Sequence, residues 1–555
     1  MPVRAIMLRL TGAARSALVR DFEAALGSST TFDERYQRFE EFVRHGFAGE
    51  PRPSVPPTRF YPKLRPLREA MLAFEVHMQQ HRPSWSFFVD LLPLVLSAAC
   101  DDSAPASSPE ADLVEVPRAH VAAWLSNALL LNAPRGSALD LLGGGVDPLF
   151  VSGGKIAVQK ILCLLCYLSQ ALPSSSDGGV VVFERASSAA VEPVGGPSSH
   201  DGDGRPLHEA LELEQAAPQQ TTEASREEKP AAAAAMVMFS SRSFGGGAVA
   251  GNSATQEEIL LMIYPEALPA LVLFGGRPTA DDEAVLVHGV RRHSETSGYA
   301  HTLRWLRPCA ATAAARGGDD EGVGEPAAAA ATTTTLVAID AARQPGVAQF
   351  LPGNVHREVA KATIGLAALQ RRHAAAASRA PGAAAAAALP AAVECDGLWG
   401  CEGFSGGQPV LRLLLLLLGA AHARVTVRLT PPAGDAQLLK WLSGVMAEVR
   451  AARPPAAALQ AVLCAESLQR RERMAGDVPA FSSFVIKSLR AARGHGQGHG
   501  QGLPPPRDDA LAAAVQEGIS HALPQRRRRH SGADEASSAV PAKRLRTEAL
   551  CTEET

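Results

Sequence analysis

Two adjacent carboxylates, Glu257 and Glu258, close a glycine-rich segment at residues 245–258 that reads GGGAVAGNSATQEE. The three glycines that open it lack a Cβ, so the backbone can adopt positive φ and approach a ligand closely. Successive N–H groups in such a loop can form a concave nest for an anion, and the N-terminus of a following helix adds further donors. Neighbouring helical residues point about 100° apart. The segment therefore indicates a bound phosphate beside two carboxylates that can do different work.

The same residues also fit a purely structural role. Thr255, followed three residues later by Glu258, has the pattern of a capping box, with Thr255 as the N-cap. On composition alone capping is the stronger interpretation, because capping boxes are common and triple-glycine loops are frequent linkers.

Other blocks of the sequence decide between these interpretations. A triple glycine, a short spacer and QEE are similar to the signature of the poly(ADP-ribose) glycohydrolases, and this chain resembles that family over about residues 85–430. Five more segments resemble blocks of the family in the family's order: VFER at 182–185, GYAHTLRW at 298–305, VAIDA at 337–341, REVAKA at 357–362 and WGCEGFSGG at 399–407.

The resemblance implies an α/β/α macrodomain with a helical accessory domain and the hydrolysis of ribose–ribose O-glycosidic bonds. Glu258 matches the acid/base that protonates the leaving 2′-hydroxyl and then activates water, and Glu257 matches the carboxylate that orients the scissile ribose. The remaining matches bind substrate: Gln256, Gly245, Gly246 and Gly247 hold ribose and diphosphate, Tyr299 lines the adenosine end, and Gly403, Phe404, Ser405, Gly406 and Gly407 form a second diphosphate loop. Neither a metal nor a cofactor is implied.

Several supporting positions depart from the family pattern. Met238 stands where the family has an aspartate, and Ser241 and Leu398 stand where it has asparagines. Three interpretations follow. The first is an active, divergent glycohydrolase. The alternative is a catalytically impaired module that binds ADP-ribose or its polymer. Cleavage of a related ADP-ribose linkage is a third, weaker alternative.

Composition sets the broad class. The chain has 555 residues, 46% of them hydrophobic, with a formal net charge of −3, which excludes a strong global attraction to nucleic acid or membrane. Eight cysteines at irregular spacing are typical of a reducing compartment. Cys163 and Cys166 lie in an apolar helical pattern and are interpreted as core residues. The leucine run from Leu411 is broken by Arg412 and too short for a membrane span, so it is interpreted as a buried helix.

Periodicity predicts helices first and alternating strands and helices later, hence an α/β fold with a mixed sheet flanked by helices and an N-terminal all-helical accessory domain. We predict a lead-in at 1–62, a helical domain at 63–172, a macrodomain-like catalytic domain at 173–470 and a largely disordered basic tail at 471–555. Low-complexity insertions are expected near 186–235, 310–335 and 373–390.

Partners and location follow from the same features. Basic clusters at 526–529 and 543–546 indicate nuclear import, a phosphate-binding arm or merely a solvated tail, and a cytoplasmic pool remains open. The expected partners are poly(ADP-ribose) and ADP-ribosylated proteins. We expect a monomer with no membrane contact and no sequence-specific nucleic-acid binding.

Overall fold

The protein was analysed as a computed structural model. It describes residues 20, 22–24, 26, 31–45, 64–99, 112–130, 149, 154–174, 179–188, 206–214, 235–249, 254–274, 277–309, 333–342, 346–379, 392–401, 407–431, 435–465 and 475–496. Most of the three predicted insertions and all of the chain after residue 496 lie outside these ranges.

An eight-stranded mixed sheet organises the described residues. Its spatial order is β1 (Leu113–Pro117), β2 (Val180–Ser187), β5 (Glu283–Val290), β8 (Thr334–Asp340), β4 (Ala235–Ser240), β9 (Val393–Asp396), β10 (Val427–Thr430) and β3 (Leu211–Leu213). Pairing is antiparallel from β1 to β8 and parallel from β8 to β3. A separate hairpin joins β6 (Ser294–Ser297) to β7 (Arg304–Pro308).

Helices cover both faces of the sheet. Before and around the first strands lie α1 (Phe32–His45), α2 (Arg65–Gln79), α3 (Leu92–Ala99), α4 (Arg118–Leu129) and α5 (Lys155–Ala171). Further along the chain are α6 (Gln256–Ile263), α7 (Ala270–Phe274), α8 (Pro352–Arg379), α9 (Pro409–His422), α10 (Ala436–Ala452), α11 (Ala456–Leu463) and α12 (Val478–Gly496).

Alternation along the central strands divides the core into two layers. Met238 and Leu336 belong to one apolar cluster, which contains residues of α2 to α7. Val237 and Val337, each one residue away, belong to the other cluster, which contains residues of α8 to α12. This is the period-2 pattern of a strand buried on both faces. The sheet therefore lies between two helical layers.

The predicted fold class, a mixed α/β sheet flanked by helices with a helical N-terminal region, is confirmed. The leucine-rich run forms α9 and is buried over nearly its whole length. Cys163 and Cys166 are buried in the core as predicted, where burial raises the pKa of the Cys166 thiol to about 12.

Two elements differ from the sequence pattern. Strand β1 lies in the stretch for which only helices were expected, and it pairs with β2 at the edge of the sheet. Helix α12 lies inside the predicted tail, because Phe481, Val485 and Leu489, spaced four residues apart, bury one face of it in the core. None of the helices in the described ranges is long and apolar enough to cross a membrane.

Candidate active site

The candidate site lies where β4 ends and α6 begins. Strand β4 runs parallel to β8 on one side and to β9 on the other, so the three strands end at the same edge of the sheet. Ligands of open α/β sheets bind outside this carboxyl edge. The chain leaves β4 at Ser240, turns through the glycine loop and enters α6 at Gln256.

The glycine loop folds back onto the first turn of α6. Gly245 has φ +97° and Gly246 has φ +46°, a region that L-residues with a Cβ rarely adopt. A Cβ on Gly246 would lie 2.8 Å from the Oε2 atom of Glu257. The glycines at these positions therefore allow the loop to close on the two carboxylates.

The amides of this loop bond within the protein. Gly245 N donates to Glu257 Oε1 at 2.7 Å and Gly247 N donates to Glu258 Oε1 at 2.9 Å. Gly246 N donates to the Ser243 carbonyl, and Ala248 N donates to the Gly245 carbonyl. The nest expected to hold a diphosphate thus holds the carboxylates instead, and a diphosphate bound here would need other donors.

Glu257 is the more deeply buried carboxylate, with 3% of the residue exposed. Besides Gly245, the Ser240 hydroxyl donates to its Oε1 at 2.9 Å and the Ser241 amide donates to its Oε2 at 2.9 Å. Burial raises its pKa to about 7; the three donors oppose that rise, and the neighbouring carboxylate of Glu258 adds to it. Near neutral pH, Glu257 can therefore carry a proton or a charge.

Glu258 caps helix α6 and also presents its carboxylate at the candidate site. It forms the capping box with Thr255, whose amide donates to Glu258 Oε2 at 3.1 Å. The same Oε2 accepts from Lys160 Nζ at 3.3 Å, and 10% of the Glu258 side chain is exposed. The capping prediction is confirmed, and the cap itself brings the carboxylate to the edge of the site.

The side chain of Gln256 connects the candidate site to the backbone of the sheet. Its Oε1 accepts from Phe239 N at 2.7 Å, and its Nε2 donates to the Val237 carbonyl at 3.1 Å and to the Asp396 carbonyl at 3.4 Å. The side chain thus joins α6 to the ends of β4 and β9. This explains a glutamine here, since the amide offers both a donor and an acceptor to strand backbone.

Tyr299 lies on a tight turn beside the N-terminus of α6. The turn begins at Gly298, with φ +79°, and Tyr299 N donates to Thr302 Oγ1 at 2.9 Å. Ala300 N donates to the Ala254 carbonyl at 2.8 Å, which fixes the turn to the segment just before α6. Tyr299 is 38% exposed, so its ring is accessible to a ligand.

The second glycine loop is partly described. Gly407 N donates to the Gly400 carbonyl at 3.0 Å and closes the turn. A Cβ on Gly407 would lie 2.6 Å from Arg412 Nε, so this guanidinium supports the turn directly. Four predicted substrate-binding residues of the loop lie outside the described residues, namely Gly403, Phe404, Ser405 and Gly406.

The departures from the family pattern lie close to the site. Met238 is buried in the core on β4, and Leu398 is buried beside Trp399. The side chain of Ser241 is not what holds Glu257, because the donor is its main-chain amide. That hydrogen bond is therefore available whatever residue occupies position 241, except proline.

Sequence reasoning missed three residues that shape the site: Lys160, Ser240 and Arg412. Lys160 contacts Glu258, Ser240 contacts Glu257, and Arg412 supports Gly400 and Gly407. A signal existed for the two cations, because each interrupts an apolar helical run where a charged residue is costly unless it has a partner. Ser240 carried no comparable signal.

The fold and the paired carboxylates at a strand edge define an α/β domain equipped for acid/base chemistry. Comparison with protein families gives the particular class. Residues 211–438, from the start of β3 into the first turn of α10, match the family described as poly (ADP-ribose) glycohydrolase (PARG), macro domain fold. This part of the chain is therefore similar to the macro domain of that family. A comparison with curated proteins finds no match.

Proposed function

We propose that the protein hydrolyses the ribose–ribose O-glycosidic bonds of poly(ADP-ribose) and releases ADP-ribose. The match of residues 211–438 to the poly(ADP-ribose) glycohydrolase family supports a glycohydrolase of this type. The finer assignment, with Glu258 as acid/base and Glu257 as the orienting carboxylate, rests on the two carboxylates at the carboxyl edge of the sheet.

The proposed chemistry balances with these two residues. Glu258 gives a proton to the 2′-oxygen of the leaving ribose as the bond from that oxygen to the anomeric carbon breaks. Positive charge develops on the ribose ring in an oxocarbenium-like transition state. Water then attacks the anomeric carbon and returns a proton to Glu258. Glu257 holds the hydroxyls of the scissile ribose, and with a pKa of about 7 it can act as hydrogen-bond donor or acceptor there.

The observation that carries the proposal is the packing of the glycine loop on both carboxylates. Gly245 and Gly247 each give a main-chain N–H to one of them. Main-chain donors hold a carboxylate in one orientation without a side chain of their own. Such preorganisation is what a catalytic carboxylate needs, and a helix cap alone would require only the contact between Thr255 and Glu258.

We propose the substrate-binding residues from the resemblance of their sequence blocks to the family. Tyr299 supplies an exposed ring for the adenosine end. Gly407 is the last residue of the proposed second diphosphate loop, which also includes Gly403, Phe404, Ser405 and Gly406. Because the loop amides at 245–247 have acceptors inside the protein, we propose that they bind substrate indirectly, by positioning the carboxylates, rather than as diphosphate donors.

A second candidate function is a binding module that no longer cleaves. Met238 and Leu398 favour it, because apolar buried side chains replace polar residues of the family pattern. Both are on elements that reach the site, β4 and the segment after β9.

One experiment separates the two functions. Purified protein is incubated with radiolabelled poly(ADP-ribose), and the products are separated by chromatography. If the protein is a glycohydrolase, free ADP-ribose increases with time. If the polymer stays intact and the protein binds ADP-ribose, the protein is a binding module and not a glycohydrolase.

Partners and location complete the proposal. We propose that the protein acts as a monomer on poly(ADP-ribose) and ADP-ribosylated proteins, and that the basic clusters at 526–529 and 543–546 direct it to the nucleus. Alanine substitution of both clusters in a fluorescent fusion should move the signal to the cytoplasm. Alanine at Arg470 and Arg471 is the matched control, and unchanged nuclear signal in the cluster variant would refute this role.

A further inference from the structure

A buried lysine from the N-terminal helical region reaches the candidate acid/base. Lys160 lies in the middle of α5, and its side chain is fully enclosed, with 0% exposed. Its Nζ donates to the Gly247 carbonyl at 2.8 Å and to Glu258 Oε2 at 3.3 Å. Lysine is almost never fully buried without partners, and both of these partners belong to the candidate site.

The donors around Glu258 are distributed unequally. Oε2 accepts from Thr255 N and from Lys160 Nζ, whereas Oε1 accepts, among the described residues, only from Gly247 N. A carboxylate oxygen has about two acceptor positions, so the described contacts fill Oε2 and leave one position on Oε1.

We propose that Lys160 is a positioning residue for the hydrolysis: its ammonium fixes Glu258 through Oε2 and leaves Oε1 as the oxygen that gives and takes the proton. This inference rests on the proposed function. Lys160 does not touch the substrate in this account. It acts through the orientation and charge of Glu258, and through the Gly247 carbonyl it also fixes the loop that holds Oε1.

Charge balance supports the same role. Glu257 and Glu258 are neighbouring buried carboxylates, and the Lys160 ammonium contacts Glu258. Burial lowers the pKa of the Lys160 ammonium, and the carboxylate of Glu258 opposes this change.

The other titratable groups on neighbouring elements are engaged elsewhere or neutral. On α5, the thiol of Cys163 is buried and its pKa is raised. Glu266, which follows α6, pairs with Arg118, and Glu295 on β6 pairs with Arg307. The positive charge that α5 places beside the Glu258 carboxylate is therefore that of Lys160.

Lys160 comes from a part of the chain that lies outside the family match. It lies before residue 211, where the family match begins, and it is 98 residues away from Glu258 in sequence. The helical layer thus contributes a side chain to the site and is not only a scaffold.

The test uses the full-length protein with Lys160→Met, which keeps a flexible, unbranched side chain and removes the ammonium. Lys160→Arg keeps the charge, and Lys155→Met on the exposed first turn of the same helix is the matched control. For Lys160→Met we expect kcat to fall by about 10- to 100-fold, since small misplacement of a catalytic group has effects of this size. Affinity for ADP-ribose should change by less than about threefold, because Lys160 does not contact the substrate.

The pH profile separates this role from a merely structural one. Removing a positive charge beside the two carboxylates should move the descending limb of kcat against pH to higher pH in Lys160→Met. In Lys160→Arg the limb should stay near that of the wild type, with part of kcat recovered, and Lys155→Met should change neither. A kcat and pH profile in Lys160→Met equal to those of the wild type would overturn the inference. So would equal displacement of the limb in the methionine and arginine variants.

Thermal unfolding tests the contact between Lys160 and Glu258 without an activity assay. It is used if Lys160→Met is unstable, or if the wild type releases no ADP-ribose, a result that would contradict the proposed function alone. Adding Glu258→Gln should restore stability to Lys160→Met, because the neutral amide no longer needs a cation. Strictly additive losses in the double variant, or failure of both variants to fold, would show that Lys160 only fills space and would overturn the inference.

Discussion

Gly245 and Glu257 are twelve residues apart in the chain, and the amide of the first donates to Oε1 of the second at 2.7 Å. This contact, together with that between Gly247 and Glu258, joins the loop and the helix into one unit. The loop therefore explains the orientation of the carboxylates, and the residues that allow it to close become sensitive to substitution.

Gly246→Ala tests that closure. Its φ of +46° disfavours a Cβ, and the added atom would lie 2.8 Å from Glu257 Oε2. We expect a loss of about 1–2 kcal/mol in the free energy of unfolding from the backbone conformation and a larger relative loss of kcat than of ADP-ribose affinity. Gly444→Ala in α10, where an added Cβ meets nothing within 4 Å, is the control. Wild-type kcat in Gly246→Ala would contradict the role given to the loop.

Glu257→Gln tests the buried proton. The folded-state pKa of about 7 exceeds the ordinary value of 4.5, so native Glu257 binds a proton more tightly than the unfolded chain does. Its contribution to stability is present below about pH 4.5 and is lost as pH rises through about 7, by up to about 3 kcal/mol. The stability of the wild type relative to Glu257→Gln should therefore fall between pH 5 and about 7.5 in chemical denaturation. A constant difference across this interval would show that Glu257 stays ionised.

Tyr299 tests the proposed adenosine end of the site. Stacking of a base on an aromatic ring contributes about 1–3 kcal/mol, so Tyr299→Ala should weaken ADP-ribose binding by about 5- to 150-fold. Tyr299→Phe keeps the ring and should bind within about threefold of the wild type. Leu306→Ala, at another exposed apolar residue of the same region, is the control, and titration calorimetry measures all three. Equal affinity in Tyr299→Ala and Leu306→Ala would remove Tyr299 from the site.

Arg412 tests the support of the second loop. It is buried, pairs with Glu358 and donates to the Ala342 carbonyl at 3.3 Å. Removing one partner of a buried ion pair costs about 3–5 kcal/mol, and Arg357 also contacts Glu358, so Arg412→Met should lose about 3 kcal/mol. Exposed Arg450→Met in α10 should unfold like the wild type. A stable Arg412→Met with wild-type ADP-ribose affinity would mean that the turn at Gly400 and Gly407 does not depend on the guanidinium.

Local patterns predicted the elements that carry the site. The apolar run ending at Phe239, the triple glycine and the capping pattern at Thr255 correctly indicated strand, loop and helix in that order, because each depends on neighbouring residues. The same patterns left capping and catalysis as alternatives. In the structure Glu258 caps α6 and faces the site at once, so the two interpretations were never exclusive.

Long-range contacts could not be predicted in the same way. Lys160 and Glu258 meet because α5 packs beside α6, and Arg412 reaches Glu358 because α9 packs against α8. Neither pairing is encoded in the spacing of nearby residues. The diphosphate role expected for the three glycines also depended on where their amides point, which only the folded loop determines.

Glu258→Gln removes the carboxyl group that we propose performs the acid/base step, and its activity on poly(ADP-ribose) is compared with that of the wild type. Initial rates of ADP-ribose release are measured beside the affinity of each protein for ADP-ribose. General acid/base catalysis contributes about 10²- to 10⁴-fold, so release by Glu258→Gln should fall by that factor while affinity stays within about threefold. Release at the wild-type rate by folded Glu258→Gln would show that Glu258 is not the acid/base.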